Sequence, residues 1–344
     1  MFPVSFAESV VREYTRKGQL VLDPFAGRGT ALFAAASQGR FGLGAEINPV
    51  GWVYGKAKMH TAERADVEEL VRRVGKMSAR YRDEAAALPM FFRHCFSQPV
   101  REFLVAARHL LNWRHRKADC TTMALLLVDL HGKRESALSN QMRQTKAMSP
   151  EYAIRWWRER EMHPPERNPV EFMHRKIAWR YKRGRPDIDG SRIYLGDSQV
   201  LLKRMQEDRT ARPKHAKLLL TSPPYHGISN YFYDQWLRLW LLGGPPFPKS
   251  LGEKCKRKFQ SKHDYEELLR SVFERSKPLL SRKAVIYVRT DARKFTLDAT
   301  QRTLEQVFRS KKLREAQHSV PDFTQTTLFN AQAKSKGDVD FIMW

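Results

Sequence analysis

The chain has 344 residues, with 62 Lys and Arg against 37 Asp and Glu, so its formal net charge at pH 7 is +25. The length excludes a small stapled module and predicts a large domain with an insertion or a second lobe. An enzyme of small molecules does not need so large a basic surplus, which predicts a polyanionic partner. Hydrophobic residues make up 42% of the chain, enough for a core, which excludes a disordered basic tail.

The cysteines and the apolar segments indicate where the protein works. Cys95, Cys120 and Cys255 are odd in number and far apart, and none has the spacing of a zinc site. We therefore expect no metal and a reducing, cytoplasmic setting. The first residues lack the apolar stretch of a signal peptide, and no apolar run reaches the roughly 18 residues of a membrane helix. We expect neither export nor membrane association.

The elements predicted at the two ends of the chain alternate between strand and helix. A helix over 4–17, a strand over 19–22, a helix over 31–38 and a strand over 41–45 form a βαβ unit. Later strands are predicted over 192–195, 216–221, 284–288 and 339–344, with a helix over 297–308. This alternation predicts an α/β fold with a doubly wound, mostly parallel sheet.

A long insertion separates the second and third predicted strands. Residues 59–186 number 128, whereas a helix with two loops needs only about 20 to 30. Helical periodicity over 65–88 and 100–113 predicts a mainly helical insertion. We therefore divide the chain into a catalytic domain, residues 1–58 and 187–344, and the helical insertion 59–186.

The second half of the insertion is strongly basic. Residues 131–186 contain 14 Lys and Arg against 6 Glu, interleaved with the aromatic residues Trp156, Trp157, Trp179 and Tyr181. A second basic stretch runs over 249–262. Such runs are often solvated faces, but the net charge favours contact with phosphates.

The first candidate site is VLDPFAGRGT, residues 21–30, where a strand turns into a helix. Gly27 and Gly29 permit a tight turn and a close approach of a ligand to the backbone. The third glycine of the dinucleotide motif and the Gly-Lys-Ser/Thr ending of the P-loop are missing, so an uncharged or zwitterionic nucleoside fits better than a phosphate. About 23 residues after Asp23, Glu46 ends the second strand, where an acidic side chain accepts hydrogen bonds from a ribose. The alternative is a structural turn with a surface Glu.

The second candidate site is LLLTSPPY, residues 218–225, a strand that ends in Thr-Ser-Pro-Pro-Tyr. The two prolines fix φ and remove backbone donors, which leaves a rigid array of acceptors. Ser222 adds a hydroxyl, and Tyr225 adds a flat face on which a base stacks. Taken alone, the turn is equally compatible with an ordinary loop. In the segment that follows, 226–244, helical spacing favours core packing for Trp236 and Trp240, while residues 229–231 are nearer the turn and favour a pocket wall.

Together these motifs resemble the DNA amino-methyltransferases, which transfer a methyl group from S-adenosylmethionine to an exocyclic nitrogen. The glycine signature F-x-G-x-G of that family is matched by Phe25, Gly27 and Gly29, and its catalytic (D/N/S)-P-P-(Y/F/W) by Ser222 to Tyr225. Two weaker similarities are Phe2-Pro3 with Phe6, and Leu195-Gly196-Asp197-Ser198. The resemblance covers 1–58 and 187–344 and implies a class I methyltransferase, a Rossmann-like fold.

The resemblance also implies roles for individual residues. The catalytic residues are Ser222, Pro223, Pro224 and Tyr225. The residues that bind S-adenosylmethionine are Phe6, Asp23, Pro24, Phe25, Ala26, Gly27, Gly29, Thr30, Glu46, Ile47, Asp197, Ser198 and Thr221. Candidate nucleic-acid contacts are Asn230, Tyr231, Lys254, Lys256, Arg257 and Lys258. We expect double-stranded DNA as partner and S-adenosylhomocysteine as product; a cognate restriction endonuclease is a further expected partner, and the sequence leaves monomer and dimer open.

The serine form of the catalytic tetrapeptide, TSPPY, resembles the N4-cytosine enzymes more than the N6-adenine enzymes. We therefore expect transfer to N4 of a cytosine that has been flipped out of the duplex. No cysteine follows a proline, which argues against attack on carbon 6 and C5 methylation. The alternatives are N6 of adenine, an RNA amino-methyltransferase, and a DNA-binding protein that has kept the fold without catalysis.

The position of the insertion departs from the family pattern. It lies before Asp197, whereas family groups are distinguished by where the recognition region falls relative to the two motifs. Its expected role is to read or clamp DNA, and the alternative is a surface for a protein partner.

Overall fold

The computed structural model describes residues 2–182, 184, 188, 190–207, 215–226, 231–249, 261–318 and 337–344. The chain divides into two compact units. The first unit comprises Met1–Ile47, Ile188–Ser229 and Gly252–Trp344, and the second comprises Asn48–Asp187 and Asn230–Leu251. No helix among the described residues is long and apolar enough to cross a membrane.

The described part of the first unit is a seven-stranded sheet with helices. Its helices are α1 Val4–Tyr14, α2 Thr30–Ala36, α11 Ser198–Glu207, α14 Lys262–Ser276 and α15 Lys294–Val307. Its strands are β1 Leu20–Asp23, β2 Phe41–Glu46, β3 Arg192–Leu195, β4 Ala216–Thr221, β5 Leu280–Asp291, β6 Leu313–His318 and β7 Asp338–Met343. The strand order is β3-β2-β1-β4-β5-β7-β6.

The sheet is parallel except at one end. Strands β1 to β5 are parallel, whereas β7 runs antiparallel to both β5 and β6. The order reverses at β1, which lies between β2 and β4, so that the carboxyl ends of these strands meet at a topological switch point. The predicted α/β class with a doubly wound, mostly parallel sheet is confirmed.

Alternating side chains of the sheet form a core on each face. Val21, Leu218 and Leu220 face α1 and α2, while Leu22 and Leu219 face α11, α14 and α15. Successive side chains of a strand point to opposite faces, and both faces are covered by helices, so these strands are apolar almost throughout. This explains why LVL and LLL are recognisable as strands in the sequence.

The described part of the second unit is built of helices. These are α3 Pro49–Met59, α4 Arg64–Met77, α5 Arg82–Ala87, α6 Met90–Cys95, α7 Gln98–Leu110, α8 Lys117–Asp129, α9 Pro150–Arg158, α10 Pro169–Tyr181, α12 Tyr231–Asp234 and α13 Trp236–Leu241, with a 3-10 turn Ser78–Tyr81. The only β pairing in its described residues is the bridge between Gly132 and Gln141. The predicted helical character of the insertion agrees with this.

Residues 230–251 belong to the second unit although they follow the catalytic turn in sequence. Trp236 and Trp240 are each 2% exposed and pack against Phe91 and Phe92, which confirms the predicted core packing of the two tryptophans. Arg238, also 2% exposed, donates from Nε to Leu127 O at 2.9 Å and from Nη2 to Gln144 O at 2.6 Å. The unit therefore includes α3 and residues 230–251 in addition to the predicted 59–186.

The sequence prediction and the structure differ in some elements. The helical pattern over 65–88 is interrupted by the 3-10 turn Ser78–Tyr81 and becomes α4 and α5. Strand β6, Leu313–His318, was not predicted, because its sequence LREAQH lacks β-branched residues and it pairs with β7 alone. Its conformation depends on this tertiary pairing.

Candidate active site

The glycine turn after β1 has the backbone conformation that its sequence predicts. Gly27 has φ +56° and Gly29 has φ +70°, the left-handed region that glycine adopts without steric cost. Gly29 is the N-cap of α2, and Gly29 N–H donates to Ala26 O at 2.7 Å. Thr30 is the first residue of α2 and is buried. The turn is therefore compact, and the helix begins directly behind it.

Strand β2 supports the turn from one side. Glu46 accepts a hydrogen bond at Oε2 from Gly27 N–H at 2.7 Å, and Ala45 O accepts from Ala26 N–H at 2.9 Å. A Cβ at Gly44 would lie 2.7 Å from Asp23 O, so only glycine allows this approach of β2 to β1. Glu46, predicted to bind a ribose, thus also fixes the turn.

The end of β3 is tied to the same place. Gly196 N–H donates to Glu46 O at 2.9 Å, and the Ser198 hydroxyl donates to Pro24 O. Asp197 accepts at Oδ1 from Gln199 N–H at 2.9 Å, which holds the carboxylate at the start of α11. Asp197 and Ser198, far from the glycine turn in sequence, therefore lie beside it.

The proline turn lies at the neighbouring strand end. Thr221, the last residue of β4, is fully buried and donates from Oγ1 to Asp23 Oδ1 at 2.6 Å. Ser222, Pro224 and Tyr225 are half-buried. The glycine turn and the proline turn are thus adjacent at the carboxyl edge of the sheet, where the hydrogen bond from Thr221 to Asp23 joins the two strand ends.

Asp23 is an unusual acid at the centre of this edge. It is 2% exposed, and burial raises its pKa to about 7 although the hydrogen bonds from Thr221 and from Phe25 N–H lower it. The desolvation of the carboxylate outweighs the two donors. Asp23 therefore changes charge near neutral pH.

An aromatic cluster that no sequence pattern predicts follows the proline turn. The His226 ring lies 4.7 Å from the Phe295 ring and 5.6 Å from the Tyr265 ring, in edge contacts with both. Tyr265 is fully buried at the start of α14, and Phe295 is at the start of α15. His226 and Tyr265 are 39 positions apart, Tyr265 and Phe295 are 30 apart, and His226 and Phe295 are 69 apart, so no local pattern indicates that they meet.

Phe6, predicted beside the cofactor, is held by a buried ion pair. The Arg289 guanidinium lies 3.4 Å from the centre of the Phe6 ring, and its Nε and Nη2 donate to Asp340 at 2.6 and 2.7 Å. Tyr287 donates its hydroxyl to the same carboxylate at 2.5 Å and contacts Phe6 edge-on at 5.7 Å. Arg289 and Asp340 are facing partners on β5 and β7. Arg289 and Asp340 are 51 positions apart in sequence, so their ion pair could be predicted only from the pairing of β5 with β7.

The remaining predicted residues differ in their setting. Ala26 is buried in the turn, Phe25 packs partly against the core, and Ile47 is 43% exposed. Tyr231 begins α12. Asn230, Lys254, Lys256, Arg257 and Lys258 lie outside the described residues. Within the described part of the chain, no three His, Cys, Asp or Glu side chains form a group that could hold a metal ion.

Solved structures give remote likenesses. The rRNA methyltransferase aviRa from Streptomyces viridochromogenes is 11% identical over 99% of this chain and 84% of its own, with a TM-score of 0.35. A SAM-dependent methyltransferase from Agrobacterium tumefaciens is 9% identical over 99% and 60%, with a TM-score of 0.36. A TehB-like SAM-dependent methyltransferase from Corynebacterium glutamicum is 10% identical over 98% and 85%, with a TM-score of 0.32. These likenesses add nothing to the fold, which the strand order establishes.

A family model gives a more specific match. Residues 1–50 match the model N6_N4_Mtase, described as DNA methylase. No curated protein matches the chain. The matched segment contains α1 with Phe6, the glycine turn and Glu46. The match covers residues 1–50 alone; it confirms the resemblance to DNA amino-methyltransferases and does not distinguish cytosine N4 from adenine N6.

Proposed function

We propose that this chain transfers a methyl group from S-adenosylmethionine to the exocyclic N4 of cytosine in duplex DNA. The observation that carries the proposal is the 2.6 Å hydrogen bond from Thr221 to Asp23. It joins the segment that matches the DNA methylase family to the Thr-Ser-Pro-Pro-Tyr turn. A methyl donor and a methyl acceptor need such adjacent sites, because direct transfer requires both held in line.

The carboxyl edge fits S-adenosylmethionine better than a nucleotide phosphate. Asp23 ends β1, Glu46 ends β2, and Asp197 follows β3. Carboxylates favour the cationic sulfonium and ammonium groups of the cofactor and accept hydrogen bonds from the hydroxyls of its ribose. Among the described residues beyond its chain neighbours, the nearest atom to a Cβ built at Gly27 is Phe25 O at 4.0 Å, so a ligand has room against the backbone. When bound, the cofactor supplies an electrophilic methyl group on sulfur.

In the proposal, further residues of the same edge hold the cofactor. Glu46 accepts from the ribose, Asp197 from the adenine amine, and Phe6 covers the methionine end. The other cofactor residues are Pro24, Phe25, Ala26, Gly29, Thr30, Ile47, Ser198 and Thr221. Transfer would form the new N–C bond as the methyl–sulfur bond breaks, with S-adenosylhomocysteine as the product, and the methylated amine would release one proton to water.

The proline turn acts on the base by position and electrostatics. The Ser222 hydroxyl and the Pro223 carbonyl accept the hydrogens of the exocyclic amine, which concentrates its lone pair on nitrogen and aims it at the methyl group. Pro224 removes a competing N–H and keeps these acceptors rigid. Tyr225 stacks on the base, which must leave the duplex at a cost of a few kcal/mol.

The division of labour follows the sequence domains. Residues 1–58 and 187–344 carry the chemistry, and 59–186 reads or clamps DNA together with Asn230, Tyr231, Lys254, Lys256, Arg257 and Lys258. The net charge of +25 supports a polyanionic substrate. The serine form of TSPPY favours cytosine N4 over adenine N6.

The test is incubation with methyl-labelled S-adenosylmethionine and mixed-sequence duplex DNA, followed by digestion to nucleosides. We expect label in N4-methylcytosine. A Ser222→Ala variant should lose transfer while it retains cofactor binding, because the proposal gives the hydroxyl a role toward the amine and none toward the cofactor. Label in N6-methyladenine would mean that adenine and not cytosine is the target. Label found only in structured RNA would mean that RNA and not DNA is the substrate, and no transfer to either nucleic acid would overturn the proposal.

A further inference from the structure

Helix α10 of the second unit is fixed firmly along its inner side. Phe172, Met173 and Ile177 are at most 2% exposed and belong to the apolar interior of the unit. At the end of the helix, the Tyr181 hydroxyl donates to Ala62 O at 2.8 Å. The outer side of α10 is therefore held in a defined orientation relative to its own unit.

Among the described residues, the four cations near the end of α10 fall into two groups. Lys176 and Arg180 contact the buried Asp129, at 3.6 and 2.8 Å. Arg175 and Lys182 are exposed, and no described Asp or Glu lies within ion-pair distance of either. Residues seven positions apart share one helix face, so both point outward together.

Trp179 lies between these two outward cations. It is 72% exposed, whereas five of the six other tryptophans of the unit, Trp52, Trp113, Trp157, Trp236 and Trp240, are at most 7% exposed. The Arg180 guanidinium lies 5.9 Å from the Trp179 ring. An exposed indole in a row of cations is typical of a surface that a partner covers.

Arg167 extends the positive charge before the start of α10. Its Nη2 donates to Arg134 O at 2.6 Å, and its guanidinium lies 5.1 Å from the ring of the buried Phe172. Burial lowers the pKa of Arg167, and the positive charges of Arg175 and Arg134 lower it further, while Glu135 offsets part of the effect. The cations repel one another here, and a polyanion would relieve that repulsion.

We propose that Arg175, Trp179 and Lys182, here termed the α10 ridge, bind the sugar-phosphate backbone of duplex DNA. The proposal rests on the proposed function, which supplies duplex DNA as the partner. Seven residues of helix span about 10 Å, the axial length of about three phosphates on one strand. Arg175 and Lys182 contact phosphates, and Trp179 packs against the sugars between them. The ridge contributes affinity and orientation and carries no base reading.

A salt titration of duplex binding, made without cofactor, tests the cations. The double variant Arg175→Ala/Lys182→Ala should reduce the slope of log K against log salt by about 1.8, because each lost phosphate contact removes about 0.9. The matched control is Arg64→Ala/Arg72→Ala, which also removes two exposed helical cations. Arg64 and Arg72 already pair with Glu68 and Glu69, so the control should keep the wild-type slope.

A second measurement tests Trp179. Trp179→Ala should weaken duplex binding about tenfold, and Trp179→Phe should recover part of the loss, because a smaller ring still covers the sugars. Trp179 is too exposed for its loss to unfold the unit, and circular dichroism checks this. The inference is overturned if Trp179→Ala binds duplex DNA as tightly as the control double variant and Arg175→Ala/Lys182→Ala has the same salt slope as that control.

The two proposals fail in different ways. If the wild type methylates duplex DNA and the ridge variants bind it like the control, the ridge inference is wrong and the proposed function stands. If the wild type binds duplex DNA through the ridge but transfers no methyl group, the proposed function is wrong and the ridge stands. If the ridge variants lose binding to structured RNA and not to duplex DNA, the choice of DNA is wrong.

Discussion

The carboxyl edge of the sheet and the helical second unit differ in how sequence relates to position. At the sheet edge, residues that the sequence marks as functional, such as Asp23, Glu46 and Thr221, are brought together by parallel strands. In the second unit, Trp157 and Trp179 look alike in sequence, yet one is fully buried and the other is 72% exposed. A motif at a strand end therefore predicts where a site lies, whereas the composition of a helical unit does not predict which of its aromatic residues are exposed.

The buried acid at the sheet edge should give the largest effect. Asp23 has a raised pKa of about 7, so between about pH 4 and 7 the folded chain keeps a proton that the unfolded chain releases. Its contribution to the unfolding free energy should therefore fall as pH rises through this window, by roughly 4 kcal/mol.

Asp23→Asn should abolish this dependence, because the amide remains neutral and still accepts from Thr221. Urea unfolding at pH 4.5 and at pH 8 measures it, and the variant should gain stability relative to the wild type at pH 8. The control is Glu305→Gln, which changes an exposed carboxylate of the same unit. Equal pH slopes for wild type and Asp23→Asn would contradict the raised pKa.

A buried arginine of the second unit should give the next largest effect. Arg238→Met removes the donors to Leu127 O and Gln144 O and should lower the unfolding free energy by about 3 kcal/mol. Arg155→Met, at a side chain that is 69% exposed, should stay within about 0.5 kcal/mol. Urea midpoints give both values. Equal losses of unfolding free energy for the two substitutions would mean that the burial of Arg238 does not make it more important for stability than Arg155.

The proline turn should show its role in activity and not in stability. Tyr225→Ala should reduce kcat/KM for methyl transfer on the order of 100-fold, because the stacking that holds the base is lost. Tyr225→Phe keeps the ring and should remain within a few-fold of the wild type. Initial rates with duplex DNA measure both. A fully active Tyr225→Ala would remove this residue from the proposed site.

The smallest effect concerns the pH response of the second unit, which should be opposite to that of Asp23. His131 is fully buried, and its Nδ1–H donates to Arg143 O at 2.9 Å; burial, and next the charge of Arg238, hold its pKa well below 6.5. The unfolded chain therefore binds a proton that the folded chain does not, and stability should be lost as pH falls below about 6.5.

His131→Asn should reduce the loss of stability below about pH 6.5, because the asparagine amide can donate to Arg143 O and does not titrate. The measurement is the urea midpoint from pH 7.5 down to pH 5.5. His263→Asn, at an exposed residue, is the control and should leave the dependence unchanged. A His131→Asn variant as sensitive to acid as the wild type would show that another group causes the loss.

Much of the sheet could be predicted because its signals are local. The apolar strands around Val21 and Leu219, buried on both faces, and the glycines of the turn follow from sequence alone. Strand β6 and the Arg289–Asp340 pair could not be predicted, since both depend on pairing with β7. The same holds for His226, Tyr265 and Phe295, which meet only because the segment after β4 contacts the starts of α14 and α15.

The sequence by itself determined the α/β alternation, the two motifs and the basic charge, because strand patterns, turn residues and composition act over short stretches of chain. The tertiary structure decided that Thr221 donates to Asp23, that residues 230–251 pack with the helical unit, and that Trp179 and not Trp157 is exposed. These features depend on which distant segments cover each other, and burial then sets both the pKa of Asp23 and the side of α10 that remains open to a partner.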